Sequence, residues 1–532
     1  MRETVAETRY GRLRGVVEDD VVVFRGVRYA APPTGALRWR PPEEPEIWAG
    51  IRDAFAFAPS APQAPPLPSE TFPGDPTEQS EDCLFLNLWT PRLDDARRPV
   101  MVWVHGGGFT TGSGGVGLYR GEHLARRGVV VVTINYRLGA LGWLAHPGLQ
   151  QTGGGLGNWG LLDQIKALTW VRDNVEVFGG DPGNVTVFGE SAGAMSVAAL
   201  LASPAARPLF RRAIVQSGAA VAVGVKSAAV LAEDLASGLG MAELSPELLR
   251  QVPADELLAV QHEVGAAYAG VGLPFQPVVD GGVLSRHPAA EVATGEAAGI
   301  DLLIGTNRDE WKFFTFTTPG LRRIDEDQLS RLVARHVEVA WLGESIDAAE
   351  LISVVRSARA ARGEETSPSE LYSALGTEWI FRVPSMRLAE AHSNSHRRTF
   401  AYLFEWESPF GRGTLGSCHA LEIPFVFGTV RTPAVTAFSG GGPEAEALSD
   451  RMQAAWAAFA ATGDPSSEEG GEWAPYERSR RSTMRFGPES GALLAPREPE
   501  RAWLDAALGP FGQAEAAGLE QVRRPPQRES GA

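Results

Sequence analysis

Three stretches of this chain are apolar almost without interruption: VMVWVHG at 100–106, VVVVTINY at 129–136 and VTVFG at 185–189. A strand with one wet face alternates apolar and polar side chains, whereas a strand covered on both faces is apolar throughout. Helical patterns separate the runs, among them GEHLARRG, LLDQIKALTWVRDNV and AGAMSVAALLAS. Buried strands alternating with helices predict an α/β fold, a mostly parallel, doubly wound sheet with helices on both faces. Other strand-like runs are VVVFRGVRYA (21–30), LFLNLWT (84–90), AIVQSG (213–218), LLIGTN (302–307) and TFAYLFEWE (399–407).

The pattern extends over one domain, 1–512, with helical insertions at about 225–300 and 320–395 and no internal repeat. Residues 58–77 (APSAPQAPPLPSETFPGDPT) are proline-rich and are expected to form an extended surface loop. The stretch 513–532, ending EQVRRPPQRESGA, reads as a disordered tail.

Composition narrows the partners. The 532 residues are 44% hydrophobic and 21% charged, enough to build a sizeable core. A net charge of −16 argues against nucleic acid and anionic membrane as partners. The longest apolar run, near 129–134, is far short of a membrane span, and the start MRETVAETRYGRLRG lacks the apolar region of a secretory signal. Two cysteines, Cys83 and Cys418, make no disulfide framework and no zinc motif. The expectation is a cytoplasmic protein that needs no metal or organic cofactor, with a monomer favoured.

The strongest chemical signal is Gly189-Glu190-Ser191-Ala192-Gly193, a G-x-S-x-G pentapeptide entered by a β-branched strand and left by an alanine-rich helix. A sharp strand-to-helix turn would expose the Ser191 hydroxyl at a helix N-terminus, where negative charge is favoured. The competing reading is a glycine-rich helix start with no chemistry. Upstream, VMVWVHGGGF runs a strand into His105-Gly106-Gly107-Gly108, the loop expected to supply oxyanion donors. The N–H groups of Gly107, Gly108 and Ala192 are the candidates, and His105 is read as positioning the loop. Gly112-Ser113-Gly114-Gly115-Val116-Gly117 also matches a dinucleotide fingerprint, but Phe109, Thr110 and Thr111 separate it from the strand. The next strand ends at Asn135 rather than at an acidic residue, so nucleotide binding is rejected.

In an α/β-hydrolase fold the acid and then the base follow the nucleophile, each on a loop after a strand. LLIGTN is followed by Arg308-Asp309-Glu310, and on residue type alone either carboxylate serves. Of the later histidines, His336 falls in an insertion, and His392 and His396 precede TFAYLFEWE. Only His419, in GRGTLGSCHALEIPF, follows that strand and takes the base position.

Taken together, these segments resemble the type-B carboxylesterase (cholinesterase-like) family across nearly the whole chain. The resemblance rests on FRGVRYAAPPTGALRWRPP, SEDCLFLNLWTP, NYRLGALGWLA, GNWGLLDQIKALTWVRDNVEVFGGDPGNVTVFGESAG, PVVDGG, GTNRDEW and HALEIPFVFG. Among bacterial members the chain looks most like the para-nitrobenzyl-esterase type. The resemblance implies the catalytic triad Ser191, Glu310 and His419, acting on small-molecule esters. Secreted relatives pair the cysteine at position 83 with one that here is Ala61, which implies free thiols and a reducing compartment. Trp311 stands where many relatives have glycine, which leaves two readings open, a narrowed pocket mouth or packing on an insertion. Glu190 is likewise open between a structural and a catalytic role.

Phe109, Trp311, Phe313, Phe314 and Phe425 sit on the catalytic loops. Some of them are expected to line the substrate pocket, above all Phe109, Trp311 and Phe314, and the rest to pack under the insertions. Nothing in these loops is expected to offer a fixed positive charge near the serine except Arg308 and Lys312, and there is no long apolar lid. The expected substrates are therefore neutral esters with short to medium acyl groups and aromatic or apolar alcohols. An amidase or carbamate hydrolase would use the same triad. A non-catalytic binding protein of this fold would lack triad residues.

Overall fold

The computed structural model describes residues 2–65, 78–150, 155–268, 272–339, 346–395 and 398–509. Most of the proline-rich stretch and the tail 513–532 lie outside these residues. The strands are β1 (Arg2–Thr8), β2 (Gly11–Glu18), β3 (Val21–Arg28), β4 (Ile51–Asp53), β5 (Phe85–Thr90), β6 (Arg98–Val104), β7 (Val130–Ile134), β8 (Gly180–Glu190) and β9 (Arg212–Gln216), then a short separate pair, β10 (Val223–Gly224) and β11 (Val278–Val279). They continue with β12 (Asp301–Asn307), β13 (Thr399–Phe404), β14 (Ser482–Phe486) and β15 (Gly491–Leu494).

One sheet runs β1-β2-β3-β5-β7-β6-β8-β9-β12-β13-β14-β15, with β4 beside β2. From β7 to β14 every neighbouring pair is parallel. The N-terminal margin from β1 to β7 and the β14–β15 hairpin are antiparallel, except that β4 lies parallel to β2. The central runs are apolar because both faces are covered. Val100, Val102 and Val104 of β6 enter one core and Met101 and Trp103 the other, and all five are buried. The strands β1 and β2 are absent from the sequence reading, because RETVAET and GRLRGVVE are too polar to resemble buried strands.

Register positions the chemistry. Val104 of β6 pairs with Gly189 of β8, so the glycine loop and the serine turn leave the sheet side by side. Asn307 of β12 pairs with Phe404 of β13, which brings the two later loops to the same edge. The carboxyl ends of parallel strands thus converge on one crevice. Helices Val225–Gly238, Ala254–Ala267, Glu326–Val339 and Ala348–Ala361 occupy the insertions. Among the described residues no helix is long and apolar enough to cross a membrane.

Candidate active site

Ser191 caps the helix Ala192–Ala202 with φ 56° and ψ −126°, a conformation outside the common regions for a side-chain-bearing residue. Such a residue costs on the order of 1–3 kcal/mol, which the surroundings must hold in place. They do so by close approach. A Cβ on Gly189 would lie 2.6 Å from the carbonyl carbon of Gly193, and one on Gly193 would lie 2.0 Å from the Val104 carbonyl oxygen. The Ser191 N–H donates to the Gln216 carbonyl at 3.0 Å, tying the turn to β9.

Across from it, Gly106 packs against the turn, where a Cβ would meet Ser191 Cβ at 3.0 Å and the Glu190 carbonyl at 2.8 Å. Gly107 and Gly108 follow with φ of 109° and 60°, open to solvent to different degrees. The Gly107 carbonyl accepts from the N–H groups of Thr110 (3.1 Å) and Thr111 (3.0 Å). Among the described residues, no hydrogen bond takes up the N–H of Gly107, Gly108 or Ala192.

His105 lies under the loop. Its Nδ1 is 2.8 Å from the Gly106 carbonyl and its ring stacks on Tyr136 at 4.4 Å. Burial pushes its pKa down to about 4, so it stays neutral. The glycine run 112–117 braces the same region, with the Gly114 N–H donating to Asn135 Oδ1 at 2.7 Å. Phe109 is buried and meets Trp143 edge-on at 4.7 Å, which puts its ring in the core and not in the crevice.

The acid loop separates its two candidates. Glu310 Oε2 is 2.7 Å from His419 Nδ1, and Glu310 Oε1 accepts from the Asn307 N–H at 2.6 Å. Asp309 turns the other way: its Oδ2 accepts from the Ser417 N–H at 2.9 Å, while its own N–H donates to the Ser417 carbonyl at 2.9 Å. Asp309 thus fastens its own loop to the loop that carries His419. His392 is spent in the core, with Nδ1 2.7 Å from Thr399 Oγ1 and Nε2 2.9 Å from the Ile300 carbonyl. His396 lies outside the described residues.

Two further carboxylates complete a buried cluster. Glu190 Oε1 is 3.1 Å from His419 Nε2. Glu422, fully buried, accepts from Asn307 Nδ2 at 2.7 Å and from Gln216 Nε2 at 3.3 Å. Burial, reinforced by the neighbouring carboxylates, raises Glu190 to about 8 and Glu422 to about 7. Burial alone would lower His419, but the charges of Glu190 and Glu310 outweigh it and raise the imidazole to about 9. Three carboxylates for one imidazole make a site that holds protons tightly, the kind of perturbation expected where protons are moved. Glu422 was not foreseen, although its place three residues after His419 in HALEIPF was a usable signal. Asn307, which bonds both Glu310 and Glu422, and Gly106 were also missed.

Aromatic rings crowd the base. Phe314 lies 5.3 Å and Phe313 6.5 Å from the His419 ring, and Trp311 is 4.6 Å from Phe314. Phe381, from an insertion, is nearer than either at 4.7 Å. Phe425 is buried against Phe404 and Trp406 at 5.2 Å and 5.7 Å. Both cations of the acid loop are already paired: Arg308 reaches Asp309 (2.7 Å) and Glu407 (2.6 Å), and Lys312 reaches Glu370 (3.1 Å).

Comparison with known proteins places the chain in a family. A sequence model of the carboxylesterase family matches residues 2–500. A para-nitrobenzyl esterase of Bacillus subtilis (strain 168) is 39% identical over 517 residues, covering 96% of this chain and all of that protein. A phenmedipham hydrolase of Pseudarthrobacter oxydans is 37% identical over 504 residues, 92% of this chain and 96% of the relative. The crystal structure of a Geobacillus stearothermophilus carboxylesterase superposes with a TM-score of 0.82 at 38% identity, covering 94% of this chain and all of the other.

Proposed function

The chain is a member of the carboxylesterase family and a carboxylic-ester hydrolase of the serine type, and from that premise we propose that it cleaves neutral esters through an acyl-enzyme on Ser191. The preferred esters carry short to medium acyl groups and aromatic or apolar alcohols. The observation that carries the assignment of residues is the 2.7 Å contact between Glu310 and His419, taken with a serine held at positive φ at the end of β8.

Glu310 holds the Nδ1 proton, so the lone pair of a neutral imidazole sits on Nε2. That nitrogen takes the Ser191 proton as the hydroxyl oxygen attacks the ester carbonyl. The N–H groups of Gly107, Gly108 and Ala192 receive the oxyanion, each donor worth about 3–4 kcal/mol in the transition state. His419 returns the proton to the departing alcohol, then activates the water that releases the acid. The excess of carboxylates around His419 and the pairing of Arg308 and Lys312 favour an uncharged substrate over one bearing its own carboxylate. A cytoplasmic location fits Cys83 and Cys418, which are free and buried.

The test is a rate comparison. Para-nitrophenyl butyrate should give a higher kcat/KM than emulsified triolein, and Ser191→Ala should lose several powers of ten in kcat with its unfolding midpoint unchanged. A folded Ser191→Ala protein that retains turnover overturns the assignment, and a preference for triolein overturns the substrate class. Carbamate and amide analogues of the same size complete the panel.

A further inference from the structure

We propose that Gln63 is a positioning residue for the oxyanion donors: its side-chain amide grips Gly112 and, through it, fixes the glycine loop that carries Gly107 and Gly108. This deepens the esterase reading above and rests on it. It joins two stretches that the catalytic assignment leaves unused, the start of the proline-rich segment and the glycine run 112–117.

The grip is two-sided. The Gly112 N–H donates to Gln63 Oε1 at 2.7 Å, and the Gly112 carbonyl accepts from Gln63 Nε2 at 2.9 Å. Nε2 also donates to the Ala61 carbonyl at 3.0 Å. A flipped amide would set its oxygen against two carbonyls, so the pairing has one sense. The segment that presents Gln63 is itself anchored. The Gln63 N–H donates to Gln79 Oε1 at 3.0 Å, the Ser60 N–H to the Glu78 carbonyl at 2.8 Å, and Asn135 Nδ2 to the Pro59 carbonyl at 3.1 Å. Cys83 is a free thiol and position 61 is alanine, so hydrogen bonds rather than a covalent link hold this segment.

Gly112 transmits the grip through its backbone. Its φ is 114°, and a Cβ there would fall 2.3 Å from His105 Nδ1 and 2.5 Å from the Gly106 carbonyl oxygen. The turn between them is as tight: a Cβ on Gly107 would lie 2.2 Å from the Thr111 carbonyl oxygen. Beyond Gly112 the chain is fixed to the end of β7, where Gly114 donates to Asn135 Oδ1 and accepts from Thr133 Oγ1, both at 2.7 Å. The oxyanion loop thus has two held ends, β6 and the stem at 112–114, and Gln63 takes both polar groups of the residue where that stem begins. Donors stabilise an oxyanion only from the right place, and a misplacement of about 1 Å can cost on the order of a hundredfold in rate.

The experiment uses Gln63→Met, which keeps the length of the side chain without its amide, and Gln63→Asn, which is one methylene short. In enzyme counted by active-site titration, kcat for para-nitrophenyl butyrate should fall about tenfold to a hundredfold in both, with little change in KM. The inhibition constant of a trifluoromethyl ketone, whose adduct with serine carries an oxyanion, should weaken by the same factor. The pH midpoint of the rate should stay as in the wild type, because the contacts of His419 are untouched. A merely structural Gln63 would lower the unfolding midpoint and the titrated active fraction and leave kcat per active site and the ketone's inhibition constant unchanged, which overturns the proposal. So does a fall in kcat without a matching loss of ketone affinity, or one that travels with a shifted pH midpoint. Two variants that both fail to fold make Gln63 a folding residue and overturn it as well. A wild-type protein that turns over no ester overturns the esterase reading, whereas an active wild type indifferent to Gln63 overturns this one alone.

Discussion

Two buried ionic clusters in this molecule differ in their charge balance. In the first, Arg137 and Asp163 meet one to one. Nε is 2.8 Å from one carboxylate oxygen and Nη2 is 2.7 Å from the other, and the Arg137 backbone N–H adds a third bond at 3.1 Å. Burial opposes the guanidinium charge, but Asp163 more than compensates and the pKa of Arg137 rises. In the second, His419 faces Glu190, Glu310 and Glu422, so negative groups outnumber the one cation they can share. The first cluster sets one cation against one anion. The second cannot be fully ionised without uncompensated buried charge, so its protons are available for exchange. Such an imbalance is costly for stability and useful for proton transfer. The first arrangement suits a structural role, and the second suits the proton transfer proposed for His419.

The sharpest way to break this division is to exchange the expected consequences. Glu310→Gln removes the acceptor that orients the imidazole and should lower kcat about 10³- to 10⁴-fold, with little change in the denaturation midpoint. A large loss of stability with an intact rate would place Glu310 among the structural groups. Asp163→Asn should do the reverse. An unpaired buried guanidinium costs about 3–5 kcal/mol, seen in urea unfolding, while kcat per folded molecule stays within about twofold. A rate collapse without destabilisation would erase the distinction.

The pH dependence sharpens it further, because rate and stability should move in opposite directions. Only neutral His419 accepts a proton, so kcat/KM should rise with pH and level off near the raised imidazole pKa of about 9. That raised pKa means the folded protein binds the proton more tightly than the unfolded chain. The stabilisation is complete below about pH 6.5 and is lost as pH climbs through about 9. Glu190 and Glu422, raised to about 8 and about 7, lose stability in the same sense as they ionise. Chemical denaturation from pH 6 to 10, run beside the rate profile, should show the two curves crossing; curves that rise together would contradict the cluster. The smallest effect belongs to Glu422→Gln. Removing the outermost negative charge should move the lower limb of the rate profile acidward by less than about one pH unit and stabilise the protein at alkaline pH.

Much of this was legible in the chain because its causes are local. Uninterrupted apolar runs can be satisfied only by strands covered on both faces, and β6, β7 and β8 are such strands. The Ser191 turn depends on Gly189 and Gly193, one strand and one helix, all within a few residues, and the order Ser191, Glu310, His419 follows the order of the strands that precede them. What stayed open on residue type was whatever depended on the direction a side chain takes after leaving the sheet. Asp309 and Glu310 are adjacent and alike, yet one turns to Ser417 and the other to His419, because the end of β12 is pinned against the base loop by Asn307.

The rest came from packing between segments far apart in sequence. Phe109, on the glycine loop after β6, drops into the core against Trp143, while Phe381, 38 positions before His419 and inside an insertion, lies nearer the His419 ring than Phe313 or Phe314. Glu190, ambiguous beside the nucleophile, becomes part of the proton-holding cluster when its oxygen comes within 3.1 Å of the imidazole. Sequence by itself determined the sheet, the nucleophile's turn and the chemistry available at the crevice, since short-range sterics and burial dictate those. Where residue type left Asp309 and Glu310 equal and the family resemblance pointed to Glu310, tertiary structure shows which carboxylate meets His419 and which rings pack on it, since those contacts turn on the register between strands and on insertions that no local pattern encodes.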